Sequence, residues 1–215
     1  MILIEDKAQQ LSKHTAKHNF WLRNGHTIYR LPLPVGDYVL MNDKISDVLK
    51  RKGDRNIEPK KMDFLGTYNV CVDTKFDIQE LISDLCGKQH DRFRDECILA
   101  KNNNIKLYIL VENKGGIIQN TDIINPTILR VEDLHKWANP RLFIKKRTNV
   151  QLGYYADGRP KYQWIQKYPS ATKGISLQKT CYTMTAKYGV EFVFCRPEDA
   201  GRKVLELLGG EVDNR

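Results

Sequence analysis

The sequence predicts a layered α/β fold, and three observations carry that prediction. Leu107-Tyr108-Ile109-Leu110-Val111 is a continuous apolar run of strand length, as expected of a central strand covered on both faces. Ile78, Leu81, Ile82 and Leu85 fall at i, i+3, i+4 and i+7, which marks an amphipathic helix over 77–86 directly after a strand-like run at 70–75. Strands and helices thus alternate along the chain, and that order favours a sheet with helices packed on it.

Ile2-Leu3-Ile4 reads as a short strand ending at Glu5-Asp6, and a helix over 9–23 is stopped by Asn24-Gly25. His14 and His18 lie one turn apart on that helix, where they could share a metal or simply pack. Residues 26–33 read as extended and lead into Pro34-Val35-Gly36-Asp37-Tyr38-Val39-Leu40. The polar stretch 41–69 contains Lys50, Arg51 and Lys52 and reads as an extended hairpin loop or flap, basic at its tip. In Val70-Cys71-Val72-Asp73-Thr74-Lys75, strand alternation puts Cys71, Asp73 and Lys75 on one face and Val70, Val72 and Thr74 on the other. After Gly87, Lys88-Gln89-His90-Asp91-Arg92-Phe93-Arg94 opens a second helix with a cationic polar side that runs to about Asn102.

From Asn113 to Ser170 the pattern loosens. Residues 131–137 suit one or two helical turns, and 142–166 alternate in β fashion around a turn at 156–160. Leu152-Gly153-Tyr154-Tyr155 and Tyr162-Gln163-Trp164-Ile165 form the arms of that hairpin. Its aromatic residues Tyr154, Tyr155, Tyr162 and Trp164 could stack on unpaired bases or pack the hairpin itself. Leu177, Cys181, Met184 and Tyr188 then make a helical stripe ended by Gly189, and Val190 to Cys195 is a buried strand. Pro197 starts a last helix, with Gly209-Gly210 past its end.

A chain of 215 residues can bury one core and carry an insertion, and 41% hydrophobic with 28% charged residues is the balance of a folded soluble protein. No apolar run approaches a membrane span, and Met1-Ile2-Leu3-Ile4-Glu5-Asp6 has neither a basic start nor a cleavage site. The expectation is a cytoplasmic protein with no membrane association. The net charge of +9 attracts phosphate backbones or anionic surfaces without choosing between them. Five cysteines, an odd number with no CxxC spacing, indicate neither a zinc site nor a disulfide framework.

Asp37 after one strand and Asp73-x-Lys75 on the next supply two carboxylates and an amine. Metal-assisted phosphodiester hydrolysis needs such a set: carboxylates share a divalent cation with phosphate oxygens, and a lysine orients or helps deprotonate water and offsets developing charge. Mg2+ or Mn2+ is the cofactor this chemistry implies. By pattern alone, a surface Asp-Lys pair on an edge strand accounts for the same residues.

The wider order of motifs resembles the XPF-type nucleases, a branch of the PD-(D/E)xK family that cuts branched or flapped DNA. That family runs Val-Asp-x-Arg-Glu, then Val-Gly-Asp-Tyr, then Val-Glu-Arg-Lys followed by a helix. The matching segments are Ile4-Glu5-Asp6-Lys7-Ala8-Gln9, Val35-Gly36-Asp37-Tyr38 and Val72-Asp73-Thr74-Lys75. Arg92-Phe93-Arg94-Asp95-Glu96-Cys97, Leu110-Val111-Glu112 and Phe192-Val193-Phe194-Cys195-Arg196-Pro197 keep the order further on, most like the standalone phage and bacterial versions.

The resemblance implies a restriction-endonuclease-like three-layer fold, a central mixed sheet flanked by helices, with a β-rich insertion. One split domain would cover 1–112 and 171–210, with 113–170 as a β-hairpin insertion. Asp37 and Asp73 would bind the metal, the Thr74 carbonyl could add an oxygen, Asp6 would stand close by, and Lys75 would serve the water. Glu112, ending the central strand, could be catalytic or merely solvated. Lys88, Gln89, His90, Arg92 and Arg94 would face DNA phosphates, and Lys50, Arg51 and Lys52 would reach from the flap or lie on a solvated face. The implied activity is endonucleolytic cleavage of DNA at junctions, flaps or branches, with an RNA-directed nuclease or a non-catalytic DNA-structure binder as alternatives. Three departures stand out. Asp73-Thr74-Lys75 replaces Glu-Arg-Lys, Ala8 and Gln79 replace an arginine and an acid, and no tandem helix-hairpin-helix follows, which leaves a homodimer open.

Overall fold

The computed structural model describes residues 1–10 and 14–209. The first half of the chain contains β1 (Ile2–Asp6), α1 (Thr15–Arg23), β2 (Thr27–Leu31), β3 (Tyr38–Leu40), α2 (Asp43–Gly53) and β4 (Val70–Lys75). Two consecutive helices, α3 (Ile78–Cys86) and α4 (His90–Asn102), cross over to β5 (Lys106–Glu112). Short strands β6 (Gly116–Ile117) and β7 (Ile124–Asn125) pair with each other, and β8 (Lys145–Tyr154) and β9 (Pro160–Gln166) form a longer hairpin. The chain closes with α5 (Gly174–Tyr188), β10 (Glu191–Cys195) and α6 (Ala200–Leu207).

Six strands make the central sheet in the order β10-β5-β4-β3-β1-β2. It is mixed: β10, β5 and β4 are parallel, β3 is antiparallel to both β4 and β1, and β2 is parallel to β1. This is the predicted central mixed sheet flanked by helices. Ile4, Val39, Cys71, Ile109 and Phe192 face one core with α2, α3, α4 and α5. Leu3, Tyr38, Val72 and Leu110 face a second core with Trp21 of α1 and Val204 of α6. Among the described residues no helix is long and apolar enough to cross a membrane.

The stretch 41–69 is not a flap. Asn42 caps α2 by accepting from the Ile45 amide at 3.0 Å, and Ile45 and Val48 bury one face of the helix. Lys50, Arg51 and Lys52 occupy its last turn, where cations complement the helix dipole, and Lys52 pairs with Asp63 at 2.8 Å. Local capping and a short apolar stripe therefore win over the polar composition of the segment. The helix expected over 9–23 begins at Thr15, and Gln9 lies in the turn after β1; residues 11–13 lie outside the described residues.

The insertion divides in two. Ile118, Ile128, Leu134 and Trp137 are buried, three of them in the main core, so its first part is integral to the fold. The β8–β9 hairpin is largely exposed, and its strands run longer than the arms expected from sequence. Cys71, Cys97, Cys181 and Cys195 are buried free thiols, whereas Cys86 is exposed.

Candidate active site

Strand parity brings the predicted acids together. In β1, Asp6 follows the inward parity of Ile4; Asp37 follows that of Val39, and Asp73 and Lys75 follow that of Cys71. All four line one cleft of about 580 Å³ on the α3–α4 side of the sheet. Asp37 and Asp73 are both buried, and so is Lys75.

The Asp37 carboxylate is fixed from two sides. Its Oδ2 accepts from the Thr74 amide at 2.7 Å and from the Thr74 hydroxyl at 2.9 Å, while Oδ1 accepts from the Gln9 side chain. Thr74 thus positions Asp37 through its amide and hydroxyl, a contact the sequence reading did not foresee. The backbone leading into Asp37 is equally constrained. The Asp37 amide donates to the Val72 carbonyl at 2.8 Å, the Tyr68 hydroxyl donates to the Val35 carbonyl at 2.8 Å, and the Gly36 amide donates to Glu96 Oε1 at 2.8 Å. Gly36 has φ +74°, and a Cβ there would lie 2.8 Å from Cys71 Cβ, so this approach of β3 to β4 requires glycine.

Lys75 is an ion-paired cation. Its Nζ lies 2.7 Å from Asp73 Oδ2 and 2.6 Å from Asp84 Oδ2, with the Phe93 ring 5.3 Å away. Burial would lower its pKa, but Asp73, Asp84 and Asp37 together more than offset that and hold the ammonium above its ordinary value. Asp73 and Asp37 are both pushed up, first by burial and only partly relieved by Lys75; Asp37 raises Asp73 further, and Glu96 raises Asp37. Glu96 of α4 belongs to the same cluster, and burial, followed by repulsion from Asp73, raises its carboxyl to about 7. Glu96 and Asp84 were not among the residues singled out from the sequence. Their signal, an acid on the inward side of an otherwise apolar helix stripe, becomes readable only once the helix face is known.

The remaining expected residues divide. Asp6 accepts from the Leu33 amide at 3.0 Å and stands 3.8 Å from Lys61, which reaches into the cleft in place of the Lys50-Arg51-Lys52 run. Lys50 and Arg51 line a separate groove with Asp47 and Asp54. Arg92 lines the cleft, whereas Arg94 is paired with Asp91 and Asp95. Lys88 and Gln89 precede α4, and His90 is its first residue.

Glu112 is neither solvated nor beside Asp73. It has the parity of Tyr108 and Leu110, points to the α1 side of the sheet, and is buried in an ion pair with Lys17. His18 bonds Glu5 at 2.7 Å. Glu5 is itself fully buried and also meets Arg30 at 3.0 Å and the Tyr38 hydroxyl at 3.1 Å.

Asp37 and Asp73 are the oxygen donors from which a hard cation could be held, with Asp6 and Glu96 nearby. Magnesium suits such a site because it takes one or two carboxylates and keeps its waters.

The chain matches no protein-family model and no curated protein. Its fold is similar to "XPF from Aeropyrum pernix, complex with DNA", with a TM-score of 0.46 and 12% identity over 97% of this chain and 63% of that one. A second structure, "XPF from Aeropyrum pernix", gives 0.44 and 12% over 98% and 66%. The chain spans just under two thirds of either. The likeness is loose, and the chemistry of the cleft is carried by its own side chains.

Proposed function

We propose that this chain is a Mg2+- or Mn2+-dependent endonuclease that hydrolyses phosphodiester bonds in DNA, with branched, junction or flapped DNA as its substrate form. The observation that carries the reading is the convergence of Asp37 and Asp73, from adjacent strands, beside the buried ammonium of Lys75.

The donor set fits a hard divalent cation. It is all oxygen, and burial with repulsion from neighbouring carboxylates raises both acids, a strain that a bound cation would relieve. When bound, such an ion supplies Lewis acidity and lowers the pKa of water. The protein's own groups do the positioning. Thr74 and Gln9 hold Asp37 in one rotamer. Lys75, held as ammonium, is a poor base, so its role is to donate to a phosphate oxygen and offset developing charge. Arg92 and Lys61, at the cleft's rim, supply cations toward which a phosphate backbone is drawn.

One observation favours a second reading, a non-catalytic binder of DNA structures. Lys75 already neutralises Asp73, and among the described residues no group of three or more His, Cys, Asp or Glu is arranged to hold a metal. Titration calorimetry with Mn2+ separates the two, since the binder takes up no ion at the cleft.

The function is tested by incubating the protein with branched, flapped and linear DNA, and with matched RNA, in the presence of Mg2+ or Mn2+. Metal-dependent cutting of DNA, faster on branched forms, is expected. Preferential cutting of RNA transfers the site to an RNA-directed nuclease, and no cutting of any substrate overturns the nuclease reading.

A further inference from the structure

The β8–β9 hairpin pairs its strands with each other and leaves most of its side chains in solvent. Its aromatic residues therefore do not pack a core: Tyr154 is 70% exposed and Trp164 57%. Register fixes which side chains share a face. Arg147 is opposite Trp164, Gln151 opposite Tyr162 and Tyr154 opposite Pro160, so the three aromatics and Arg147 line one surface of the ribbon. The Arg147 guanidinium lies 4.5 Å from the centre of the Tyr162 ring. At the foot of the hairpin Tyr168 stands beside two more cations, Arg141 and Lys167.

Charge selects the partner. Between 145 and 167 the chain has six Lys and Arg and one acid, Asp157, which Arg159 neutralises. An apolar protein surface docking here would have to desolvate those cations without pairing them. A polyanion pairs them and releases its own counterions. The aromatic rings discriminate further, because unpaired bases offer free π faces to stack on, whereas duplex bases are already stacked.

We propose that the β8–β9 hairpin is an arm that binds single-stranded nucleic acid, stacking bases on Tyr154, Tyr162 and Trp164 while Lys145 and Arg147 meet phosphates. The inference stands on the hairpin alone and does not need the cleft to be a nuclease.

Fluorescence anisotropy of the full chain in EDTA, where metal-dependent cleavage cannot occur, tests it. The probes are labelled oligo(dT), oligo(U) and a DNA duplex of the same length. Replacing Tyr162 and Trp164 together by Ala weakens single-strand binding by at least about tenfold and duplex binding by less than about threefold. Replacing both by Phe keeps the π faces and most of the affinity. Unchanged thermal midpoints certify that the variants fold, as expected for residues outside the core. Stronger binding of oligo(dT) or of oligo(U) assigns the preferred sugar, and either one supports the arm. Three results overturn it: single-strand affinity unchanged in the alanine variant, equal losses on single strand and duplex, or tighter binding to phosphatidylserine vesicles than to either oligonucleotide.

Discussion

Lys75 Nζ lies 2.7 Å from Oδ2 of Asp73, two residues earlier on the same strand, and both side chains are almost wholly buried. Asp84 shares the same ammonium at 2.6 Å. Removing this cation leaves two carboxylates desolvated and unpaired. Lys75→Met should therefore cost about 3–5 kcal/mol at pH 7.5. The defect should grow at pH 9, because without the ammonium the Asp73 carboxyl, already raised to about 8, rises further and its ionisation costs more. Urea denaturation at the two pH values measures this, and a pH-independent loss would contradict it.

Glu96 gives the opposite pH signature. Its folded carboxyl titrates near 7, above the ordinary value of 4.5, so the folded state binds the extra proton between those values. Stability then falls as pH rises through that window, and the penalty is complete above about 7. Glu96→Gln removes the charge. Without divalent ions it should match the wild type near pH 4 and exceed it at pH 8 by on the order of 2–3 kcal/mol. Thermal denaturation of both proteins across the window decides it.

Glu112 and Lys17 form a buried pair on the far side of the sheet from Asp73. Their place predicts a defect in stability and not in chemistry. Glu112→Gln and Lys17→Met should each cost about 3 kcal/mol, and the double variant less than the sum. Cleavage by Glu112→Gln should stay within a few-fold of wild type when assayed well below its melting temperature. A catalytic collapse in a folded Glu112→Gln protein would return this residue to the site.

Gly36→Ala puts a Cβ 2.8 Å from Cys71 Cβ at a backbone φ of +74°. The clash and the left-handed conformation together should cost at least about 2 kcal/mol and displace Asp37. Adding Cys71→Ala removes the Sγ contact at 2.9 Å and should restore only a small part of the stability, because the 2.8 Å contact with the residue 71 Cβ and a conformational cost of about 1–2 kcal/mol remain. Paired melting curves test the recovery.

Much of this arrangement was legible in the sequence, because strand parity depends only on residue order. Alternation in 70–75 placed Asp73 and Lys75 on one face, and the uninterrupted apolar run at 107–111 marked β5 as a strand covered on both sides. What could not be read was the register between strands and the face each helix presents. Glu112 ends a central strand as expected, but its side of the sheet follows from pairing Val111 with Lys75. Glu96 and Asp84 join the site through the packing of α3 and α4, which no local pattern reports. The 41–69 segment was misread for a different reason. Asn42, Asp43 and the Lys50-Arg51-Lys52 turn are helix-end signals, and its high polarity outweighed the short stripe of Ile45 and Val48.

The most direct test of the central claim is Mn2+-dependent cleavage of a branched DNA by the wild type beside Asp73→Ala. The wild type should cut and lose all activity in EDTA, and the folded variant should be at least about a hundredfold slower. Undiminished cutting by Asp73→Ala would contradict the assignment of this cleft as the active site.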